Sequence, residues 1–265
     1  MILGIIGVGK MGSSLAKGVL EKQKDARIVC FDKNAVAKNN LTGTGIEWAE
    51  TAIEVVEKSD AVLLAVKPQD VKQLLAEISK AAEKRGVLFV SIAAGLPIAF
   101  FEKQLGEKTR IARVIPNLPA IVGTSAACYC LSPNCSEKDE VTVRSLFESV
   151  GKAWPVKEEL MDAVTAVSGC GPAYFALLAK EMAKAGEKLG LDEKLAEELA
   201  VQTLVGTGAL LEKEKISPAE LVKRVASPSG TTEAALKEFE AQEFSKTVEK
   251  ALAAARNRGK ELGSK

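Results

Sequence analysis

The chain has no histidine. That absence removes the commonest general acid or base and the commonest nitrogen ligand of metals. A Ser-His-Asp hydrolase and a histidine-ligated metal enzyme are both excluded. Proton transfer has to use a hydroxyl, a lysine, a tyrosine, a thiol, a carboxylate or water. Excess charge is missing too: 36 Lys and Arg face 35 Asp and Glu, a net charge of +1. No bulk field recruits a nucleic acid. The five cysteines are an odd number without small-scaffold spacing, which suits a reducing compartment. Cys128, Cys130 and Cys135 lie close together but match no zinc signature, so buried thiols are expected and no metal is. No uninterrupted apolar run of membrane length is visible, and the first strand pattern begins at residue 2. A cytoplasmic protein with no leader and no membrane partner is the expectation. What is abundant is hydrophobic side chain, 47 % of 265 residues, ample for a sizeable core in one large domain or two ordinary ones.

The first twenty residues organise the rest. Ile2, Leu3, Ile5 and Ile6 form a short apolar run. Gly7, Gly9 and Gly12 follow at the spacing G-x-G-x-x-G, and Leu15, Ala16, Val19 and Leu20 then recur at helical spacing. A strand, a tight turn and a helix result. The first glycine permits the turn, the second lets a pyrophosphate approach the backbone, and the third lets helix and strand pack closely. The diphosphate then meets free N–H groups and the positive end of the helix dipole. Arg27 to Asp32 reads as a second strand. Asp32 stands at its end, where an acidic residue accepts hydrogen bonds from an adenosine ribose and favours NAD. Lys33 follows at once and suits a 2′-phosphate instead, so NADP and NAD both stay open.

Strand and helix patterns then alternate. Ala49 to Lys58 reads as a short helix. Ala61 to Val66 reads as a buried strand ending in Lys67-Pro68-Gln69, and Val71 to Arg85 as an amphipathic helix. Val87 to Ile92 is a strand running into Ala93-Ala94-Gly95, small residues beside which a flat ring fits. A helix from Pro97 to Leu105 and a strand from Arg110 to Ile115 come next. Late strands at Ser125 to Leu131 and Ala153 to Val156 flank a helix from Glu137 to Val150. Such alternation predicts a mostly parallel sheet with right-handed crossovers. Open sheets of this kind bind ligands at the carboxyl ends of their strands.

From Glu158 onward, Ala, Leu, Glu and Lys dominate and strand signals vanish. Met161 to Leu189 is expected to be largely helical, broken near Ser168-Gly169-Cys170-Gly171-Pro172. Leu195 to Leu211 is a second helix. Ser217-Pro218-Ala219-Glu220 carries an N-cap, a proline in the first turn and an acidic third residue, and starts a helix that ends at Ala226. Ser227-Pro228-Ser229-Gly230-Thr231-Thr232 follows, and helices run to the end, with Arg256 to Lys265 as a solvated helix end. The backbone N–H groups of that hydroxyl-rich loop precede a helix and suit a carboxylate, though an ordinary helix connection with a Thr N-cap fits the spacing too. The division expected is residues 1–157 as an α/β domain and 158–265 as an all-α domain. Its small-residue helices suggest pairing between copies of the chain.

These residues resemble the pyrroline-5-carboxylate reductase family. The matching stretches are Ile6 to Gly12, Ala65 to Gln69, Ser91 to Gly95, Arg113 to Asn117, Ala163 to Tyr174 and Ser227 to Thr232. They run in family order over nearly the whole chain. Ser168 to Tyr174 and the Ser-Pro loop are the specific ones. The resemblance implies an N-terminal Rossmann-type domain and a helical C-terminal domain for substrate binding and dimerisation, giving a homodimer often built into larger rings. It implies reduction of L-1-pyrroline-5-carboxylate to L-proline with NADP(H) or NAD(H), the last step of proline biosynthesis. The cofactor would lie on Ile6, Gly7, Val8, Gly9, Lys10, Met11 and Gly12, on Asp32, Lys33 and Asn34, on Ala65, Val66, Lys67 and Pro68, and on Ile92, Ala93 and Ala94. Gly230, Thr231 and Thr232 would hold the substrate carboxylate and ring nitrogen, Ser227 would shape the loop, and Thr232 would assist protonation. Ser229 stands where the family commonly has the first glycine of a pair. Hydroxyacid dehydrogenases of similar layout typically carry a lysine with an asparagine four residues on; here Lys180 is followed by Lys184. A non-catalytic dinucleotide sensor would leave the hydroxyl-rich loop without a purpose.

Overall fold

Eight strands form one sheet in the order β3-β2-β1-β4-β5-β6-β7-β8. The computed structural model describes residues 1–23 and 25–263. The strands are β1 (Ile2–Ile6), β2 (Arg27–Phe31), β3 (Glu47–Trp48), β4 (Ala61–Leu64), β5 (Leu88–Ser91), β6 (Arg110–Ile115), β7 (Ser125–Leu131) and β8 (Gly151–Pro155). The first six are mutually parallel; β7 runs antiparallel to β6 and parallel to β8. Strand order therefore reverses between β1 and β4, the switch point at which a Rossmann sheet receives its ligand.

Both sheet faces are covered, which is why β4 and β5 read as unbroken apolar runs. On one face Val62, Leu64, Phe89 and Ile111 pack against α2 (Ala52–Lys58), α3 (Pro68–Arg85) and α4 (Ile98–Leu105). On the other, Ile5, Leu63, Val90 and Val114 pack against α1 (Lys10–Lys22) and α5 (Glu137–Glu148) through Leu15, Val19, Leu146 and Phe147. Ser136 caps α5 in a reciprocal capping box with Asp139. Two elements between Asp32 and Ala49 depart from the sequence reading. A 3₁₀ turn (Ala35–Leu41) starts on the Asn34 side chain, and the two-residue strand β3 is too short to leave a periodic signal.

The expected helix break near Ser168 is a π turn. After a 3₁₀ turn (Glu158–Leu160), α6 (Met161–Val164) passes through a π turn (Thr165–Gly169) into α7 (Gly171–Lys188). Cys170 N–H donates to Thr165 O, 2.9 Å away, the five-residue step of such a turn. Pro172 explains it: its ring clashes with the carbonyl four residues back, Ser168, and it has no N–H to offer that carbonyl. The run Glu158–Lys188 is accordingly long and apolar enough, by length and composition, to cross a membrane, which the sequence reading did not anticipate. It carries Lys180, Glu181 and Lys184 within α7 and lies in the helical half of the chain.

The chain divides into two compact units, one made of Met1–Cys170 together with the chain from Ala255 on, the other of Gly171–Ala254. The second unit contains α7, α8 (Glu193–Glu214), α9 (Pro218–Val225), α10 (Thr231–Ala241) and most of α11 (Phe244–Gly263). The buried apolar cluster in that unit consists of Ala179 and Ala183 on α7 with Ala196 and Ala200 on α8. Phe175 (60 % exposed), Leu199 (50 %) and Val205 (58 %) are among the large side chains it leaves in solvent.

The end of α11 belongs to the first unit. It is not simply a solvated helix end, although Arg256, Arg258 and Lys260 are exposed. Gly259 lies against Asp162, and Gly263 lies against the carbonyl of Gly95 so closely that a Cβ would overlap it. Glycines four apart on one helix face let backbone approach backbone. The last two residues of the tail lie outside the described residues.

Candidate active site

The glycine turn has the geometry of an anion cradle. Gly7 adopts φ 97°, and a Cβ there would stand 2.6 Å from Ala65 O. A Cβ on Gly12 would overlap Gly7 O. Both positions are therefore closed to any larger residue. Gly9 is the opposite case: nothing lies within 4 Å of where its Cβ would be. That open space leaves the backbone at Gly9 approachable. Gly9 is also the N-cap of α1 and no side chain caps that helix, so its first N–H groups face outward from an uncapped positive helix end. Ser13 N–H and Oγ both bond Gly9 O, at 3.0 and 2.8 Å, and tie the turn to the helix. These residues fit a dinucleotide.

Asp32 braces this turn from β2. Its Oδ2 accepts Val8 N–H at 2.6 Å and its Oδ1 accepts Asn34 N–H at 2.8 Å. Asn40 Nδ2 donates to Val8 O at 2.8 Å. Val8 is fully buried, so it contributes rigidity to the turn rather than a side chain to the site. A cleft of about 440 Å³ brings together Ile6, Gly7, Gly9, Asp32, Lys33, Asn34, Ala65, Val66 and Lys67. Phe31, Asp70 and Leu74, which sequence reasoning missed, line it as well. Lys10 and Met11 sit on the first turn of α1, and Pro68 opens α3; none of these three lines that cleft. Lys33 and Asn34 are exposed at its rim beside the half-buried Asp32. A carboxylate for ribose hydroxyls and a lysine for a 2′-phosphate are thus side by side.

Ile92, Ala93 and Ala94 lie beyond this cleft, in the loop between β5 and α4. Ala93 is buried and Ala94 is exposed; Ala93 N–H donates to Ser91 Oγ at 3.3 Å. The next strand end carries a residue to which the sequence assigned no role. Asn117, 8 % exposed, donates from Nδ2 to Ser168 O at 3.0 Å, and its Oδ1 accepts from Ser125 Oγ and Ala126 N–H. Ser168 O is the carbonyl that Pro172 cannot serve. Leaving such a carbonyl buried and unpaired costs about 1–3 kcal/mol, so Asn117 stabilises the π turn directly. The legible signal was an asparagine directly after a strand, opposite a proline-interrupted helix.

Four of the five thiols are unsuited to supplying chemistry here. All five cysteines are free. Burial pushes Cys30 up to about 12, and burial followed by the Glu158 charge pushes Cys130 up to about 12. Burial raises Cys128 and Cys135 too. Protonated thiols are poor nucleophiles and poor ligands.

The loop Ser227 to Thr232 lies in the second unit. Ser229 adopts φ 60°, a left-handed conformation that favours glycine. This is the position at which the sequence departs from the related pattern, and the backbone there keeps the conformation a glycine would take. Gly230 N–H donates to Ser227 O at 3.0 Å, and a Cβ on Gly230 would overlap Ser227 Oγ. Ser229 N–H donates to the Glu233 carboxylate. Gly230 is the N-cap of α10 with no side-chain cap, and Thr231 and Thr232 form the first helical turn after it. Thr232 is half-buried.

Comparison with known proteins agrees with both halves. Residues 158–262 match the family model described as pyrroline-5-carboxylate reductase dimerisation. Residues 2–95 match that described as NADP oxidoreductase, coenzyme F420-dependent. The chain is 40 % identical to the pyrroline-5-carboxylate reductase of Pseudomonas aeruginosa over 98 % of its own length and 96 % of the relative's. The Coxiella burnetii pyrroline-5-carboxylate reductase structure superposes with a TM-score of 0.93 at 30 % identity, covering 98 % of this chain and 97 % of the other. The Plasmodium falciparum pyrroline carboxylate reductase, solved with NADP bound, gives 0.85 at 31 % identity, covering 99 % and 98 %. With its glycine turn, its π turn at Pro172 and relatives aligned from end to end, the chain belongs to the pyrroline-5-carboxylate reductase family.

Proposed function

We propose that this pyrroline-5-carboxylate reductase carries its cofactor on the Gly7–Gly12 turn and holds its substrate on the Ser227–Thr232 loop. The single observation that carries the reading is a pair of helix N-termini without side-chain caps, α1 after Gly9 and α10 after Gly230. One suits a diphosphate and the other a carboxylate. Bound NADPH or NADH supplies the hydride. Gly9 and the first turn of α1 bind the diphosphate. Asp32 and Lys33 meet the adenosine ribose, and Ala93 and Ala94 give the flat ring a wall without bulk. On the other ligand, Thr231 and Thr232 N–H groups fix the carboxylate, and Gly230 keeps the backbone close.

The chemistry suits a chain without histidine. A protonated C=N bond is already an electrophile. When hydride adds to its carbon, the C=N π pair shifts onto the ring nitrogen, and that nitrogen becomes the amine of L-proline. Orientation supplies much of the advantage, so no strong acid is needed. The Thr232 hydroxyl bonds the ring nitrogen and steadies its proton. Thr232→Ala is expected to lower kcat/KM for the pyrroline by roughly 10²-fold while leaving NAD(P)H affinity unchanged, the scale of one lost proton-handling group. Unchanged kcat and KM would remove that role.

The chain acts as a homodimer through its helical unit. The apolar side chains exposed on α7 and α8 and the dimerisation model across 158–262 support this. Five free thiols fit a reducing compartment such as the cytoplasm. The deciding assay follows absorbance at 340 nm with L-1-pyrroline-5-carboxylate against simple 2-oxo and 3-hydroxy acids, using NADPH and NADH in turn. Turnover is expected with the pyrroline alone. No turnover with it would overturn the reading.

A further inference from the structure

We propose that Arg113 is a positioning residue for the nicotinamide end of the cofactor, acting through two arms, one ending on Gly95 and the other on Ile98, where the loop after β5 enters α4. Arg113 lies on β6 between Ile111 and Ile115, on an otherwise apolar face, and is 5 % exposed. Its Nη1 meets Glu158 Oε1 at 3.3 Å and its Nη2 meets Asp162 Oδ1 at 3.8 Å. Its Nε is buried with no hydrogen-bond partner among the described residues.

The first arm runs through Glu158. The same Oε1 accepts Ile98 N–H at 2.7 Å, at the start of α4. The N-cap of α4 is Pro97, which has no side chain able to cap it. Glu158 serves that helix end from sixty residues away, and Arg113 orients the carboxylate that does so. The downstream end of the loop is thereby pinned. The second arm runs through Asp162, which lies against Gly259 of α11; one turn on, Gly263 lies against Gly95 O. The middle of the loop is thereby backed. Arg113 is also register partner to Ser91, whose Oγ accepts Ala93 N–H. One cation, through two carboxylates, is linked to this loop from two sides.

Stability alone does not account for this arrangement. A buried cation loses its hydration, and an apolar residue of similar volume often serves a core equally well or better. A cation with an unsatisfied Nε among Ile111, Ile115, Cys130 and Met161 is retained for the placement of its two carboxylates.

The inference rests on the reading that Ile92–Ala94 face the nicotinamide, and its test separates the two. Binding of NADPH and NADH, and of ADP-ribose and its 2′-phosphate, is measured by calorimetry on the full chain, together with steady-state kinetics. The ADP-ribose ligands reach the glycine turn but lack the nicotinamide. Arg113→Met is expected to weaken the intact dinucleotide about tenfold and lower kcat by a similar factor, as small misplacements do. Affinity for the ADP-ribose ligands is expected to stay within about twofold, because the glycine turn is untouched. Glu158→Gln, with little change of shape, is expected to show the same split, and Arg113→Lys to recover part of the loss by reaching one carboxylate. Equal loss for both ligand classes, or wild-type dinucleotide affinity in both Arg113→Met and Glu158→Gln, would overturn the proposal. Should Arg113→Met not fold, Glu158→Gln and Arg113→Lys carry the same comparison. If the wild-type chain itself binds the intact dinucleotides no better than the ADP-ribose ligands, the cofactor reading fails instead.

Discussion

The sheet unit hides Phe89, Phe101, Phe147 and Tyr129 at or below 1 % exposure, although Trp154 on its edge strand β8 stays 46 % exposed. The Gly171–Ala254 unit does the reverse, burying alanines and exposing Phe175, Leu178, Met182, Leu199 and Val205. The difference is one of completeness. A sheet covered on both faces finishes its core within one copy of the chain. A helical array whose large apolar side chains point outward finishes it only against another surface, which fits the dimerisation role of related domains. The core of the sheet unit is thus closed by intrachain packing, and the helical unit leaves apolar surface uncovered.

The strongest challenge to that contrast is Gly12→Val. Its Cβ would meet the Gly7 carbonyl, which is backbone and cannot move aside. The expected cost is about 3 kcal/mol or more, with loss of cofactor binding, read from urea midpoints and calorimetry. Gly9→Ala meets nothing within 4 Å and is expected to keep wild-type stability while weakening NAD(P)H. A Gly12→Val midpoint equal to wild type would break the picture of a closed turn. Next in size is Leu199→Glu on α8. We expect a shift toward monomer in light scattering, a loss of about 2 kcal/mol of association, and a melting point that rises with concentration. An unchanged mass would mean that α8 finishes no interface. Smallest is Ser136→Ala, which removes the cap of α5 inside the sheet unit. It is expected to cost about 1 kcal/mol in chemical denaturation with no change in mass or kinetics. A change in mass there would show that the two regions are not independent.

Much of the sheet unit was legible because its causes are local. Gly7, Gly9 and Gly12 sit in consecutive chain, and runs such as Ala61 to Leu64 or Leu88 to Ser91 announce burial on both faces. What escaped depends on partners distant in sequence. Asp32 was read from its place after β2 as one candidate to meet a ribose, yet its bond to Val8 N–H needs β1 and β2 to be neighbours first. Pro172 signalled a break, but whether the helix stops or widens depends on Asn117, fifty-five residues earlier, accepting the task of the lost donor. The stretch holding Gly259 and Gly263 read as a solvated helix end because their contacts, Asp162 and Gly95, lie about a hundred residues or more upstream. In the Ser227–Thr232 loop the pattern was legible by resemblance, while the left-handed backbone of Ser229 is a property only coordinates reveal.

The docking of the α11 end on Gly95 also has a consequence for how the protein is made. Synthesis proceeds from the N-terminus, and β1 through β8 can pair as soon as they have left the ribosome. The Ala93–Gly95 loop receives this neighbour only after Gly263 has emerged, later than every strand of the sheet. A chain interrupted between β8 and Gly263 would carry a paired sheet whose Ala93–Gly95 loop lacks its helical backing, a chain that passes for folded with one surface left open.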